Sequence, residues 1–353
     1  VVIVPSSGSI SAESTVDAAG RGRRRRWIGS VRGQDRAVRD TGVPVTAVER
    51  VRPRRLRPGD RVVVVAPAGP VPEDRLAEGV AVLRSWGLLV EIAPHVLHRH
   101  PELPYLAAPD LDRARELQRA WCDPHVDAVL CARGGYGCLR LLDLLDWAGM
   151  AAAEPKVFAG SSDVTALHEA MGRHLDIVTL FSPMLAGPCF ADRQAQEHLR
   201  RTLFEPESVR VLTRPGAGPL VPGRARGVTT GGNASLLVAA LGARDVAAPP
   251  SGTIVLLEDV AEAPYRLDRM LTQLRRAGWF AGASGVVLGS WTGCGEPEVV
   301  RAVLADRLGD LGLPVIDELG FGHCAGSLTV PLGVRTELDA DAGTLTVLEP
   351  ALR

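Results

Sequence analysis

Aromatic residues make up only 4% of this 353-residue chain, and its 40 basic residues include a single lysine, Lys156. So few rings offer a nucleotide base little to stack on. Arginine standing in for lysine on this scale points to a GC-rich coding sequence rather than to a mechanism. No apolar run is long enough to cross a bilayer. A secretory leader's layout of charge, continuous apolar stretch and small-residue cleavage site is also missing. The expectation is a cytoplasmic protein with no membrane partner. The six cysteines, at 122, 131, 138, 189, 294 and 324, form no C-x-x-C pair and have no histidine at metal-ligand spacing. They read as small buried residues or free thiols, and neither a metal nor a cofactor is expected. Cys324, next to His323 in a glycine-rich loop, is a minor candidate for a nucleophile.

With 46% hydrophobic residues the chain can bury two cores. The formal net charge of −1 hides a basic front: residues 1–57 hold thirteen arginines against five acids, including the run Arg23-Arg24-Arg25-Arg26. Residues 1–55 lack apolar periodicity and read as a disordered, Arg-rich extension. Without aromatic interleaving or an amphipathic helix, this run is a weak case for nucleic-acid or membrane binding.

From Arg57 the pattern becomes orderly. A valine-rich strand over 61–66 ends in Pro67-Ala68-Gly69-Pro70, and Leu76, Val80, Leu83 and Trp86 give a helical face over 73–86. The rhythm repeats through a strand at 88–92, a helix over 110–122, and strands at 128–131 and 156–159. Strands alternating with helices predict an α/β fold, a Rossmann-like, mostly parallel sheet with helices on both faces, over 56–205. The first βα turn is not Gly-x-Gly-x-x-Gly, so a dinucleotide is not expected. A linker is predicted over 206–220. Short strands, glycines and turns over 221–353 predict a smaller, mixed and mainly β C-terminal domain. It includes helices over 234–241 and 265–277 and a hairpin-like end from 328 to 348.

Four places carry chemistry. Gly160-Ser161-Ser162-Asp163 lies where the apolar run Val157-Phe158-Ala159 passes into a helix. There a serine can face solvent while helix amides favour developing negative charge. Gly134, Gly135 and Gly137 let the backbone of the loop 132–137 approach a ligand, as an oxyanion hole, a phosphate cradle or simply a tight turn. The strand 254–257 delivers Glu258 at its end, with Glu262 close behind. Gly320-Phe321-Gly322-His323 sets a histidine in a glycine-bounded turn. Singly, each has a commoner reading as a cap, turn or surface residue. Together, hydroxyl, imidazole and carboxylate are the inventory for activating a serine.

These motifs, with Arg57-Pro58-Gly59-Asp60, Gly231-Gly232-Asn233, Leu257-Glu258-Asp259-Val260 and Tyr265-Arg266-Leu267-Asp268-Arg269-Met270-Leu271, occur in an order that resembles the LD-carboxypeptidase family of serine peptidases. That family also includes the microcin C immunity hydrolases. The resemblance runs from about Leu56 to the C-terminus. It implies Ser162 as nucleophile, His323 as base, and Glu258, preferred over Glu262, as the acid orienting it. It implies an oxyanion and substrate site at Asp163, Gly134, Gly135 and Asn233. Ser161 departs from carboxypeptidase relatives, which often carry a larger Tyr or His there. The implied reaction releases terminal D-alanine from a murein tetrapeptide in cell-wall recycling, and the implied assembly is a homodimer acting on a small peptide, without nucleic acid. The alternatives are a hydrolase of aminoacyl or peptidyl nucleotide conjugates and a non-catalytic ligand-binding protein. Scarce aromatics favour the carboxypeptidase, since a nucleotide needs a platform to stack on.

Overall fold

The computed structural model describes residues 48–243 and 248–353. The chain divides into two units, Val1–Gly42 and Val43–Arg353, and every described residue belongs to the second. The expected extension therefore lies outside the described residues up to position 47. Residues 50–55 of it are bonded into the folded body: Arg50 N–H donates to Gly333, Val51 N–H to Asp176 and Arg55 N–H to Arg353. The arginine-rich composition concealed this, because the bonds come from the backbone.

The first half runs β1 (Arg61–Val65), α1 (Glu73–Ser85), β2 (Leu89–Ile92), α2 (Asp110–Cys122), β3 (Ala128–Cys131), α3 (Trp147–Ala151), β4 (Val157–Gly160), α4 (Thr165–His174), β5 (Thr179–Phe181) and α5 (Arg193–Phe204). Apolar residues, valine foremost, fill β1, β3 and β4, which are buried throughout apart from Arg61, as expected of strands covered on both faces. Strands β2-β1-β3-β4-β5 are parallel neighbours. Leu76, Val80 and Leu83 of α1 and Leu117, Ala120 and Trp121 of α2 join the core on this sheet.

The second half comprises β6 (Val211–Leu212), β7 (Gly218–Val221), β8 (Arg224–Asn233), α6 (Ala234–Ala239), β9 (Thr253–Val260), α7 (Pro264–Arg276), β10 (Ala283–Thr292), α8 (Pro297–Leu308), β11 (Val315–Asp317), β12 (Val330–Leu332), β13 (Arg335–Asp339) and β14 (Thr344–Val347). Its sheet has eight strands in the order β6-β14-β13-β8-β9-β10-β11-β7. The four central strands β8 to β11 are parallel, and antiparallel strands flank them. Alternation along β9 separates its two faces. Val255 and Leu257 pack with Leu267, Leu271 and Leu274 of α7, whereas Ile254 and Leu256 pack with Leu338 and Leu345 from β13 and β14. The stretch read as a linker over 206–220 thus supplies β6 and most of β7 to this sheet.

One strand crosses between sheets. β12 pairs antiparallel with β5 at the edge of the first sheet, matching Val330 to Phe181 and Leu332 to Thr179. Only β13 and β14 form the terminal hairpin. Among the described residues no helix is long and apolar enough to cross a membrane.

Candidate active site

Strand carboxyl ends converge on the candidate residues, as ligand sites do in open α/β sheets. At the end of β4 the chain turns sharply through Ser162, whose φ of +59° is left-handed and strained for a residue with a side chain. Such a conformation costs about 1–3 kcal/mol and persists only where its surroundings hold it. Three supports are visible. His168 of α4, fully buried, donates from Nε2 to the Gly160 carbonyl at 3.0 Å and accepts at Nδ1 from Thr179 Oγ1 at 2.9 Å. Burial lowers its pKa to about 4, which keeps the ring neutral and this arrangement intact at neutral pH. Asp163, 1% exposed, accepts from the Cys138 amide at 2.7 Å and so ties the serine turn to the glycine loop. Burial pushes its carboxyl above the ordinary range, against the hydrogen bonds from Cys138 and Gly137. Finally, buried Arg113 of α2 donates to the carbonyls of Ala108, Pro67 and Gly137 and pairs with Asp110, locking the loops after β1 and β3 together.

The glycine loop then lies directly against the serine. A β-carbon on Gly134 would stand 2.9 Å from Ser162 Cβ and 3.0 Å from its Oγ, so no side chain fits there without moving the hydroxyl. Among the described residues the amides of Gly134 and Gly135 have no hydrogen-bond acceptor. Two amide donors free of protein acceptors thus belong to the loop that packs against the strained Ser162.

The carboxylate and imidazole meet at the end of β9. Glu258, fully buried, accepts from His323 Nδ1 at 2.7 Å through Oε2. The same oxygen takes the His323 amide at 3.3 Å, and Oε1 accepts from Asn233 Nδ2 at 3.1 Å. Burial works against a charged His323 ring, but the hydrogen bond and charge of Glu258, with Asp259 behind it, prevail and raise its pKa above the usual value. Glu262 takes no part, since its carboxylate pairs with Arg266 at 3.1 Å. Burial likewise raises the Cys324 thiol, which favours the protonated form, a poor nucleophile.

Asn233 differs from its expected place on the substrate or the oxyanion. It is 2% exposed, and its amide is used internally. Nδ2 donates to Glu258 and, at 3.0 Å, to Asp259, while Oδ1 accepts from Ser235 Oγ at 2.7 Å and from the Leu236 amide. Its backbone links the two clusters instead, because Asn233 N–H donates to Thr165 Oγ1 at 3.0 Å, three residues beyond Ser162. A chain of bonds thus runs from the serine turn through Thr165, Asn233 and Glu258 to His323. Among the described residues no hydrogen bond joins Ser162 Oγ to the His323 ring. Such contacts often tighten only once substrate is bound.

Sequence reasoning missed Arg113 and His168. Both carry a readable signal, a polar residue on the apolar face of its helix: Arg113 shares a face with Leu117 and Ala120, and His168 sits between Leu167 and the Ala170-Met171 pair.

Comparison with known proteins agrees with this architecture. Residues 62–182 match the LD-carboxypeptidase N-terminal domain and residues 226–338 the LD-carboxypeptidase C-terminal domain. A Streptomyces coelicolor protein that carries a provisional carboxypeptidase name is 61% identical over 86% of this chain and 98% of its own length. The murein tetrapeptide carboxypeptidase of Pseudomonas aeruginosa is 31% identical over 80% of this chain and 94% of its own. Among solved structures, muramoyltetrapeptide carboxypeptidase from Oxalobacter formigenes superposes with a TM-score of 0.67 at 29% identity, covering 81% of this chain and 97% of that one. The microcin C7 self-immunity protein MccF gives 0.76 at 22% identity, covering 86% and 100%, and shares the fold. On these matches, and on a fold of the same two-part build, the chain belongs to the LD-carboxypeptidase family of serine peptidases.

Proposed function

We propose that the protein is a carboxypeptidase that cleaves the L–D amide bond of murein tetrapeptides, releases the terminal D-alanine, and serves cell-wall recycling. The observation that carries this reading is the 2.7 Å bond between His323 Nδ1 and buried Glu258, which leaves Nε2 as the ring's proton acceptor. His323 takes the proton of Ser162 as Oγ attacks the amide carbonyl. The resulting oxyanion is met by amides of the Gly134-Gly135 loop and of Asp163. Collapse breaks the carbon–nitrogen bond, His323 returns the proton to the departing amine, and an acyl-enzyme remains. Water, deprotonated by the same imidazole, then hydrolyses the ester and restores Ser162. Throughout, Glu258 holds the tautomer and stabilises the imidazolium. The relatives named as murein peptide carboxypeptidases support this choice of substrate.

A second reading, hydrolysis of an aminoacyl-nucleotide conjugate, is favoured by one feature. Tyr105 and Tyr136 pack edge to face at 5.7 Å beside the glycine loop, both about half exposed, and could flank a base. Incubation with murein tetrapeptide and, separately, with an aminoacyl sulfamate nucleotide, followed by mass identification of the released amine, tests both. Free D-alanine from wild type, lost in Ser162→Ala while peptide binding persists, supports the proposal. Turnover of the nucleotide conjugate alone would replace it.

A further inference from the structure

Beside the histidine loop lies a cleft of about 440 Å³, within the usual range for small-ligand sites. It opens at the carboxyl ends of β10 and β11, and its lining includes Arg214, Ser290, Trp291, Arg301, Asp317 and Glu318. Two contacts tie it to the catalytic cluster. The Ser290 amide donates to the carbonyl of Phe321, two residues before His323, at 2.9 Å. Trp291 is also the register partner of Asp259 on β9, next to Glu258.

Two of the unpartnered groups in this wall are donors only. The indole Nε1 of Trp291 is buried and has no hydrogen-bond acceptor among the described residues. A buried donor left in that state costs free energy unless a ligand or water satisfies it. Arg214 has no carboxylate within salt-bridge distance among the described residues. Its stem and its exposed guanidinium lie across Gly320, and among the described residues the guanidinium's one hydrogen bond goes to the Cys324 sulfur, at 3.5 Å, in the residue after His323. Of the other charges, Arg301 pairs with Asp317, and Glu318 is exposed, as Arg214 is. An uncommitted guanidinium and an orphan N–H, both donors only, ask for an anionic acceptor.

We propose that this cleft is a carboxylate subsite for the peptide, with Arg214 and the Trp291 indole N–H as its donors. The inference rests on the hydrolase reading above and names a substrate feature, a carboxylate, that the Ser162, His323 and Glu258 cluster does not itself recognise. Two carboxylates of such a peptide have this chemistry: that of the released residue, and one on the side chain of the residue before it.

The test uses Ser162→Ala protein titrated calorimetrically with three probes: the D-alanine-terminated tetrapeptide, its C-terminal amide, and a tetrapeptide with a lysine side chain before the released residue. Adding Arg214→Ala should weaken binding of the first by about tenfold or more, as expected for losing a charge-assisted pair. Arg214→Lys should restore part of it, and Trp291→Phe, which keeps a ring but removes the N–H, should give a smaller loss. If the amide is insensitive to Arg214, the terminal carboxylate occupies the cleft; if the lysine probe is, the side-chain carboxylate does. In otherwise wild-type enzyme, Arg214→Ala should raise KM and leave kcat nearly unchanged. Less than about a twofold effect of Arg214→Ala on every probe overturns the subsite, even if wild type releases D-alanine normally. Arg214-dependent binding without turnover would instead preserve the subsite and remove the hydrolase reading. Absence of binding to any probe would remove both.

Discussion

A β-carbon on Gly322 would collide with the carboxylate of Glu258, so the loop carrying His323 reaches its acid only because that position is glycine. Its φ of +93° is equally closed to most side chains. Gly322→Ala should therefore push the His323 ring off Glu258 and lower kcat by about 10²-fold or more while leaving peptide binding almost intact. Steady-state kinetics beside calorimetry separates the two; an unaltered kcat would show that the pair is dispensable.

Activity should rise with pH through the titration of His323. Because its net shift is upward, the rising limb of kcat/KM should sit above pH 6.5, as the neutral ring is the competent base. Glu258→Gln removes the charge that holds the proton. The limb should then move down in pH while the plateau falls by about 10³–10⁴-fold. A limb that stays in place would assign the titration to another group.

Gly134→Ala addresses the oxyanion loop. The added methyl would press on Ser162 Cβ and Oγ, and the expected loss is about 10²–10³-fold in kcat, comparable to removing an oxyanion donor. Thermal unfolding should barely change, which distinguishes a displaced hydroxyl from a damaged fold.

Acid should destabilise the protein through His168. Its folded pKa of about 4 lies below the unfolded value near 6.5, so the unfolded chain binds its proton first as pH falls. The stability held above pH 6.5 is then lost between about 6.5 and 4, on the order of 3 kcal/mol for this group. Partly buried His198, also lowered to about 4, adds a loss of the same sign. Asp163 and Asp259, raised by burial, act oppositely as they protonate. Unfolding of His168→Asn followed across this window should show a shallower slope than wild type. Identical slopes would exclude His168 from the acid response.

Much of this architecture was legible in the sequence because it rests on local signals. Apolar periodicity gave α2 as Asp110–Cys122 and β3 as Ala128–Cys131, the bounds found in the structure. The glycine-flanked serine and histidine marked their turns, and the strand-end position of Glu258 separated it from Glu262. What escaped depends on partners distant in the chain. Nothing in Val330-Pro331-Leu332 tells which sheet it will join. Asn233 reads as a polar tip at a strand end, and only the neighbouring carboxylates reveal that its amide is already occupied. Arg113 and His168 are polar residues whose acceptors are backbone carbonyls of other segments, loops for Arg113 and the end of β4 for His168, which composition cannot display.

The return of β12 to the edge of β5 has a consequence for biosynthesis. The first sheet lacks its last strand until residue 332 has left the ribosome, so the edge of β5, complete at residue 181, stays open until then. A fragment ending before residue 330 would expose that edge as a template for pairing with other chains, and severing the two halves should yield aggregation rather than two independent modules.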